Sequence, residues 1–241
     1  MMYILVFISF LFVGADETDM TSNKLGWNIK NESDLSLVVS TGNTESDTYS
    51  LRQSNQLQKG KDIVRLRAQF LRTKTADVET GKYWLWGLRY ERELNKRLNA
   101  FIGYQVESDI YALYSKRKSS DIGLKYFIKK SNNNELFIEL NYRHTQETDL
   151  AANKDSDELV RSYIEWNRKW TEDFSTKVWI EHLQDVDTSK EYFLNYEAST
   201  SFTMTRLLSL KLAYLTKYNN RPNLGAQKTD RLYTTSLVAS F

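Results

Sequence analysis

The two histidines are the first residues of this sequence to consider for catalysis. A serine hydrolase, such as a phospholipase, needs a serine hydroxyl whose proton is taken by a neighbouring histidine. Two positions after His144 stands Gln146, and two positions after His182 stands Gln184. Neither histidine therefore has a serine beside it on the same face of an extended strand. A serine from a neighbouring strand stays an open alternative, and the expectation is a protein that is not an enzyme.

Carboxylates offer a second kind of chemistry, in an acidic stretch over 147–158. Asp149, Asp155 and Asp157 could meet His144 in a protease-type arrangement at the end of a barrel. Acidic loops are usually solvated loop tips, and nothing in the spacing fixes a geometry. No metal-ligand spacing, phosphate-binding glycine loop or nucleotide fingerprint occurs, so neither a metal nor a cofactor is expected.

Composition narrows the class of protein. Lys+Arg 33 against Asp+Glu 31 gives a net charge of +2, which offers no electrostatic support for a nucleic-acid partner. Charged residues make up 27% and aromatic residues 13% of the chain, and the mean hydropathy is -0.57. Membrane helices need about 20 consecutive apolar residues each, which excludes a helical membrane protein. A membrane β-barrel is compatible, because only every second residue of its strands faces lipid.

Apolar and polar residues alternate from Trp27 onward, which predicts strands. The clearest apolar series is Leu98, Ala100, Ile102, Tyr104 and Val106. The pattern is less regular over 27–41, 48–58 and 159–169. Short turns alternate with longer polar links, which we place near 42–47, 72–82, 111–120, 145–158, 184–190 and 217–230. This rhythm predicts an all-β fold: a transmembrane antiparallel up-and-down β-barrel of about 12 strands, with short periplasmic turns and longer extracellular loops.

Both ends of the chain carry export features. The apolar run Tyr3 to Val13, followed by Gly14 and Ala15, is typical of a secretory signal, although no Lys or Arg precedes it. We therefore predict a cleaved signal peptide over 1–15, a short periplasmic segment over 16–26 and a barrel over 27–241. At the other end, alternate residues resemble the terminal-strand signal of outer-membrane proteins that the barrel-assembly machinery binds; they are Tyr233, Leu237, Ala239 and Phe241.

Three short motifs resemble a known family. They are the segment LSLVVSTGNTESDTY over 35–49, the segment FIGYQVESD over 101–109, and the segment DIGLKY over 121–126. The family consists of uncharacterised outer-membrane β-barrel proteins, sometimes described as salt-induced. The resemblance covers about residues 27–241 and implies a barrel in the outer membrane of a Gram-negative bacterium. It implies no established activity.

The polar residues opposite the apolar series should line the barrel interior. The candidates for this lumen are Arg65, Arg67, Arg89, Glu107, Lys125, Glu139, Arg161, Glu165, Lys177, Glu181, Glu197 and Lys211. Their mixed signs fit a narrow, porin-like channel for small solutes or ions, and also a lumen plugged by ion pairs in a structural or surface-interaction barrel. Mixed charge argues against strong ion selectivity. The expected partners are outer-membrane lipid, lipopolysaccharide and the assembly machinery, and the expected state is a monomer.

Overall fold

The computed structural model describes residues 26–40, 46–187, 191–222 and 227–240. Over these residues the chain forms twelve strands. They are β1 (Asn28–Ser40), β2 (Ser46–Lys59), β3 (Asp62–Thr75), β4 (Val78–Glu93), β5 (Leu98–Asp109), β6 (Tyr114–Ser131), β7 (Asn134–Asp149), β8 (Lys154–Lys169), β9 (Phe174–Asp185), β10 (Tyr192–Thr203), β11 (Leu208–Asn219) and β12 (Thr229–Ser240). The predicted signal peptide over 1–15 lies outside the described residues, as does nearly all of the segment over 16–26.

The strands form one closed antiparallel barrel in which each strand pairs with its neighbours in sequence. Closure comes from β1 and β12, where Asp34 lies opposite Val238. The predicted barrel of about 12 antiparallel strands is therefore confirmed. Closure pairs the two strands that would otherwise form the free edges of the sheet, which are the usual site of edge-to-edge aggregation. No helix in the described part of the chain is long and apolar enough to cross a membrane.

The connections differ between the two ends of the barrel. At one end, here called the turn rim, they comprise two to four residues at 60–61, 94–97, 132–133, 170–173 and 204–207. At the other end, the loop rim, they reach nine residues at 220–228. The predicted extents of the links 72–82, 111–120 and 145–158 are wrong, because β3, β4 and β6–β8 continue through most of them. Ala76 and Asp77 alone join β3 to β4, both with positive φ, as a two-residue hairpin turn requires.

Apolar side chains cover the outside of the barrel. Ile102, Ile122 and Tyr142 lie side by side on β5, β6 and β7, and about half of each side chain is exposed. Similar exposed apolar rows continue around the wall, whereas most of the buried polar residues face inward. An apolar exterior around a polar interior is the reverse of a water-soluble barrel and typical of membrane barrels.

One outward patch departs from this pattern. On β1 and β2, Ser33 donates a hydrogen bond to Gln53 (Oγ to Oε1, 2.5 Å), and Gln53 donates to Asn55 (Nε2 to Oδ1, 2.9 Å). The three side chains satisfy one another within the apolar face. These polar outward positions explain why alternation in the sequence is weak over 27–41 and 48–58.

Candidate functional site

The candidate site is the charged interior of the barrel. All twelve residues predicted for the lumen occupy the inward-facing positions of their strands. Contacts between strands that are not neighbours demonstrate this orientation, because such contacts can only cross the interior. Arg89 on β4, for example, binds Glu139 on β7. That these residues line a path for solutes stays a prediction.

Ion pairs connect five of the twelve predicted residues, together with Glu91, into one chain of alternating charge. The chain runs Arg65, Glu91, Arg89, Glu139, Arg161, Glu181 and extends from β3 to β9. Glu139 is its central acceptor: Arg89 donates two hydrogen bonds to it, of 3.1 and 2.7 Å, and Arg161 donates one of 3.0 Å. Glu91, which the alternation also places on the inward face, has a side chain that is fully buried between Arg65 and Arg89.

Inward-facing glycines leave space for the side chain of Arg89 on β4 to reach Glu139 on β7. Arg89 lies opposite Gly103 on β5, and Gly123 occupies an inward position on β6. With no side chain at these positions, the guanidinium of Arg89 passes along the wall to Glu139. It stacks on the ring of Phe101, with 3.6 Å from its central carbon to the ring centroid. Such stacking adds a favourable cation–π interaction to the ion pair.

Other contacts cross the interior on the remaining side of the barrel. Arg52 on β2 lies 3.7 Å from Glu197 on β10. Near the loop rim, the ammonium group of Lys217 on β11 lies 4.9 Å from the ring centroid of Tyr83 on β4. The residues predicted for the lumen do not include Arg52, Lys217 or Tyr83. Arg52 lies on an irregular strand, and an inward tyrosine resembles an ordinary apolar position.

Solvent reaches part of this interior. Arg67 is exposed although it points inward, and the side chain of Lys177 is 43% exposed although it pairs with Glu165 at 3.2 Å. Arg65 and Arg52 keep side-chain exposures of 25% and 23%. Space for water therefore persists beside the ion pairs.

Acidic residues concentrate inside the loop rim. Here the outward positions, such as Ser156 and Glu158, are polar, so this part of the wall extends beyond the apolar face. Burial, together with the nearby carboxylates of Asp155, Asp185 and Glu147, raises the pKa of Asp157 to about 6, while Arg117 acts in the opposite direction. Asp157 therefore titrates close to neutral pH.

The histidines do not form a complete catalytic triad in the described residues. His144 and Glu158 are joined by a hydrogen bond of 2.6 Å between Nδ1 and Oε1, and Tyr142 donates to the same carboxylate. Ser120 lies opposite His144 on β6, but among the described residues no hydrogen bond connects the two side chains. His182 instead lies against the ring of Tyr192. The carboxylates proposed with His144 do not gather around it: Asp155 and Asp157 lie on the inward face of β8, whereas His144 faces outward. Asp149 accepts hydrogen bonds from Asn153.

The predicted assembly signal lies on the last strand and faces outward. Tyr233 and Leu237 are 73% and 50% exposed, and the ring of Tyr233 lies 4.6 Å from that of Tyr214 between centroids. Ala239 follows at the next outward position, and Phe241 lies outside the described residues. Recognition of this strand by the assembly machinery stays a prediction.

Comparison with known proteins supports the barrel. A family model described as "Protein of unknown function, DUF481" matches residues 33–241. No curated protein matches the sequence. Among solved structures, an outer membrane channel from Pseudomonas putida F1 is similar with a TM-score of 0.55 and 12% identity, over 95% of this chain and 100% of that one. The NanC porin is similar with a TM-score of 0.52 and 12% identity, over 88% and 97%. At this identity the similarity concerns the fold alone.

Proposed function

We propose that this chain, which belongs to the DUF481 family of proteins of unknown function, forms a narrow outer-membrane channel for small solutes or ions. The proposal includes a cleaved signal peptide over 1–15, a periplasmic segment over 16–26 and a monomeric barrel over 27–241. Its partners would be membrane lipid, lipopolysaccharide and the barrel-assembly machinery. Induction by salt belongs to the same proposal and rests on the sequence resemblance alone.

The exterior supports the location in an outer membrane. A closed barrel with exposed apolar rows such as Ile102 and Ile122 needs lipid to cover them, because contiguous apolar surface is costly in water. Closed barrels satisfy all backbone hydrogen bonds between strands, which the membrane interior demands. In this orientation the turn rim would face the periplasm and the loop rim the outside.

One observation carries the channel itself: charged side chains inside the barrel remain in contact with solvent. Arg67 is exposed, and Lys177 is 43% exposed while it still pairs with Glu165. A fully packed interior would bury Arg67, and it would then have to neutralise that charge at a large desolvation cost. Barrels of similar fold include an outer membrane channel and a porin.

A plugged structural or surface-interaction barrel is the second candidate. The pair between Arg52 and Glu197 and the contact between Lys217 and Tyr83 cross the interior, and either could close the lumen. A phospholipase-type or protease-type enzyme is less well supported. The pair of His144 and Glu158 has no hydrogen-bonded serine among the described residues, so we propose no catalytic role.

Single-channel conductance of the refolded protein in a planar lipid bilayer tests the proposal. Stepwise openings that scale with salt concentration are expected for a water-filled lumen. Removal of the crossing contact by Lys217→Ala should raise the conductance, whereas Lys61→Ala on the turn between β2 and β3 should leave it unchanged. A barrel that is folded, as judged by heat-modifiable migration on gels, but that never conducts would overturn the channel and favour the plugged barrel.

A further inference from the structure

Unlike the other arginines of the interior, Arg67 has no anionic partner within the described part of the chain. It lies on β3 between Arg65, which binds Glu91, and Gln69. Among the described residues, no hydrogen bond or ion pair involves the guanidinium of Arg67. An arginine has five N–H donors and stays charged at all physiological pH values. The interior thus holds a permanent positive charge with free donors.

The groups that surround Arg67 make this charge more, not less, attractive to an anion. Its strongest electrostatic interactions with other charged groups are those with Arg161, Arg89 and Arg143, all of the same sign. Those three arginines are already bound to carboxylates, Arg143 for example to Asp121 at 2.8 Å. The neighbouring acids are therefore engaged, and none of them reaches Arg67.

Local packing leaves Arg67 accessible. On the adjacent strand it faces Gly87, and on the other side it faces Ser54, so both residues directly opposite it are small. A Cβ built on Gly87 would lie 3.9 Å from Nε of Arg67, which shows that the arginine runs along the wall over the glycine. The residue as a whole is exposed although it lies on the inward face, so space remains beside it inside the barrel.

We propose that Arg67 is the binding site of a small oxyanion, a carboxylate or a phosphate, within the lumen. The planar guanidinium matches both groups with two parallel hydrogen bonds. The proposal rests on the open lumen proposed above, and it specifies the class of solute that the lumen would hold.

Equilibrium binding tests the site without requiring conduction. The probe is inorganic phosphate, followed by its ³¹P line width at pH 7 with protein refolded in a phosphate-free maltoside detergent. The wild-type protein should broaden the line, and succinate should reverse the broadening by competition. Arg67→Gln should weaken binding at least about fivefold, the factor that corresponds to the roughly 1 kcal/mol attraction of unit charges 4 Å apart in water. Arg67→Lys, which keeps the charge, should retain part of the binding.

Arg72→Gln is the matched control. Arg72 lies on the same strand but faces outward, and it pairs with Glu79 at 2.7 Å outside the lumen. This variant removes the same charge and should bind phosphate as the wild type does. Absence of binding by the folded wild type, or equal losses in both variants, would overturn the site. Displacement of phosphate by succinate separates a general oxyanion site from one specific for phosphate.

The proposed oxyanion site and the proposed channel can be refuted separately. A barrel that binds phosphate through Arg67 but does not conduct would retain the site and overturn the channel. A barrel that conducts, with phosphate binding unaffected by Arg67→Gln, would retain the channel and overturn the site. In a conducting barrel, Arg67→Gln should also shift the reversal potential in a KCl gradient towards cations, and Arg72→Gln should not.

Discussion

Replacement of Glu139 by glutamine should reveal how far the ion-pair chain stabilises the barrel. The substitution keeps the shape of the side chain and removes its negative charge. Glu139 accepts three hydrogen bonds from two arginines and is only 6% exposed. After the change, Arg89 would keep Glu91, and Arg161 would keep Glu181, but both cations would lose the acceptor that they share.

The expected loss of stability follows from the burial of the charges that contact Glu139. Removal of one partner from a buried ion pair typically costs about 3–5 kcal/mol, because the remaining charge is left without compensation. The side chains of Arg89 and Arg161 are 19% and 11% exposed, so both are close to fully buried. Water in the proposed lumen would reduce the cost slightly. Because both arginines keep a second carboxylate, we expect Glu139→Gln to lower the free energy of unfolding by less than this, by about 2 kcal/mol.

Urea unfolding in lipid vesicles, followed by tryptophan fluorescence, measures this difference. The matched control is Asp62→Asn, which alters a carboxylate bound by Arg92 at 3.0 Å on the outside of the turn rim. Both partners of that pair are largely exposed, at 57% and 42%, and exposed pairs contribute about 0–1 kcal/mol. Similar losses in the two variants would refute the view that the interior pairs are buried and strongly coupled.

Two further predictions concern Gly123 in the barrel wall and Asp157 inside the loop rim. Gly123→Ala should lower the free energy of unfolding by up to about 3 kcal/mol, because the added Cβ would lie 2.3 Å from Cβ of Asn141. Gly103→Ala is the control: its added Cβ would lie 3.6 Å from the nearest atom, so the same urea titration should show little change. Because the pKa of Asp157 is raised to about 6, a fall from pH 7 to pH 5 should neutralise it and increase chloride over potassium permeability. Asp157→Asn should show the increased ratio of chloride to potassium permeability already at pH 7, and this ratio should depend less on pH. A pH dependence equal to that of the wild type would contradict the view that Asp157 is the group that titrates.

Period-two alternation was sufficient to predict the barrel because it reports directly on which side of the wall each residue lies. Strands such as β5, with Ile102 outside and Phe101 inside, alternate without interruption, and their phase is unambiguous. On β1 and β2 the outward residues Ser33 and Gln53 are polar and hydrogen-bonded to each other, so the same signal is weak there. For this reason Arg52 was not recognised as an interior residue.

Loop extents were harder to predict than strands. Polar residues over 145–158 read as a long link, but β7 and β8 continue as a paired hairpin beyond the apolar face. Above the lipid both sides of a strand can be polar, so alternation disappears while the backbone hydrogen bonds persist. A sequence pattern based on hydrophobicity therefore ends at the membrane surface and not at the end of the strand.

The sequence also could not reveal which interior charges cancel. A count of signs suggested a mixed lumen without strong selectivity, since neither sign dominates among the inward residues. Pairing bears on that prediction, because a carboxylate held by two arginines, as Glu139 is, would offer little attraction to an ion in the proposed channel. In the proposed channel an ion would meet the charges that such pairs leave over, among them Arg67 and the carboxylates around Asp157. Selectivity in such a lumen depends on the partners that distant strands bring together, which no local pattern encodes.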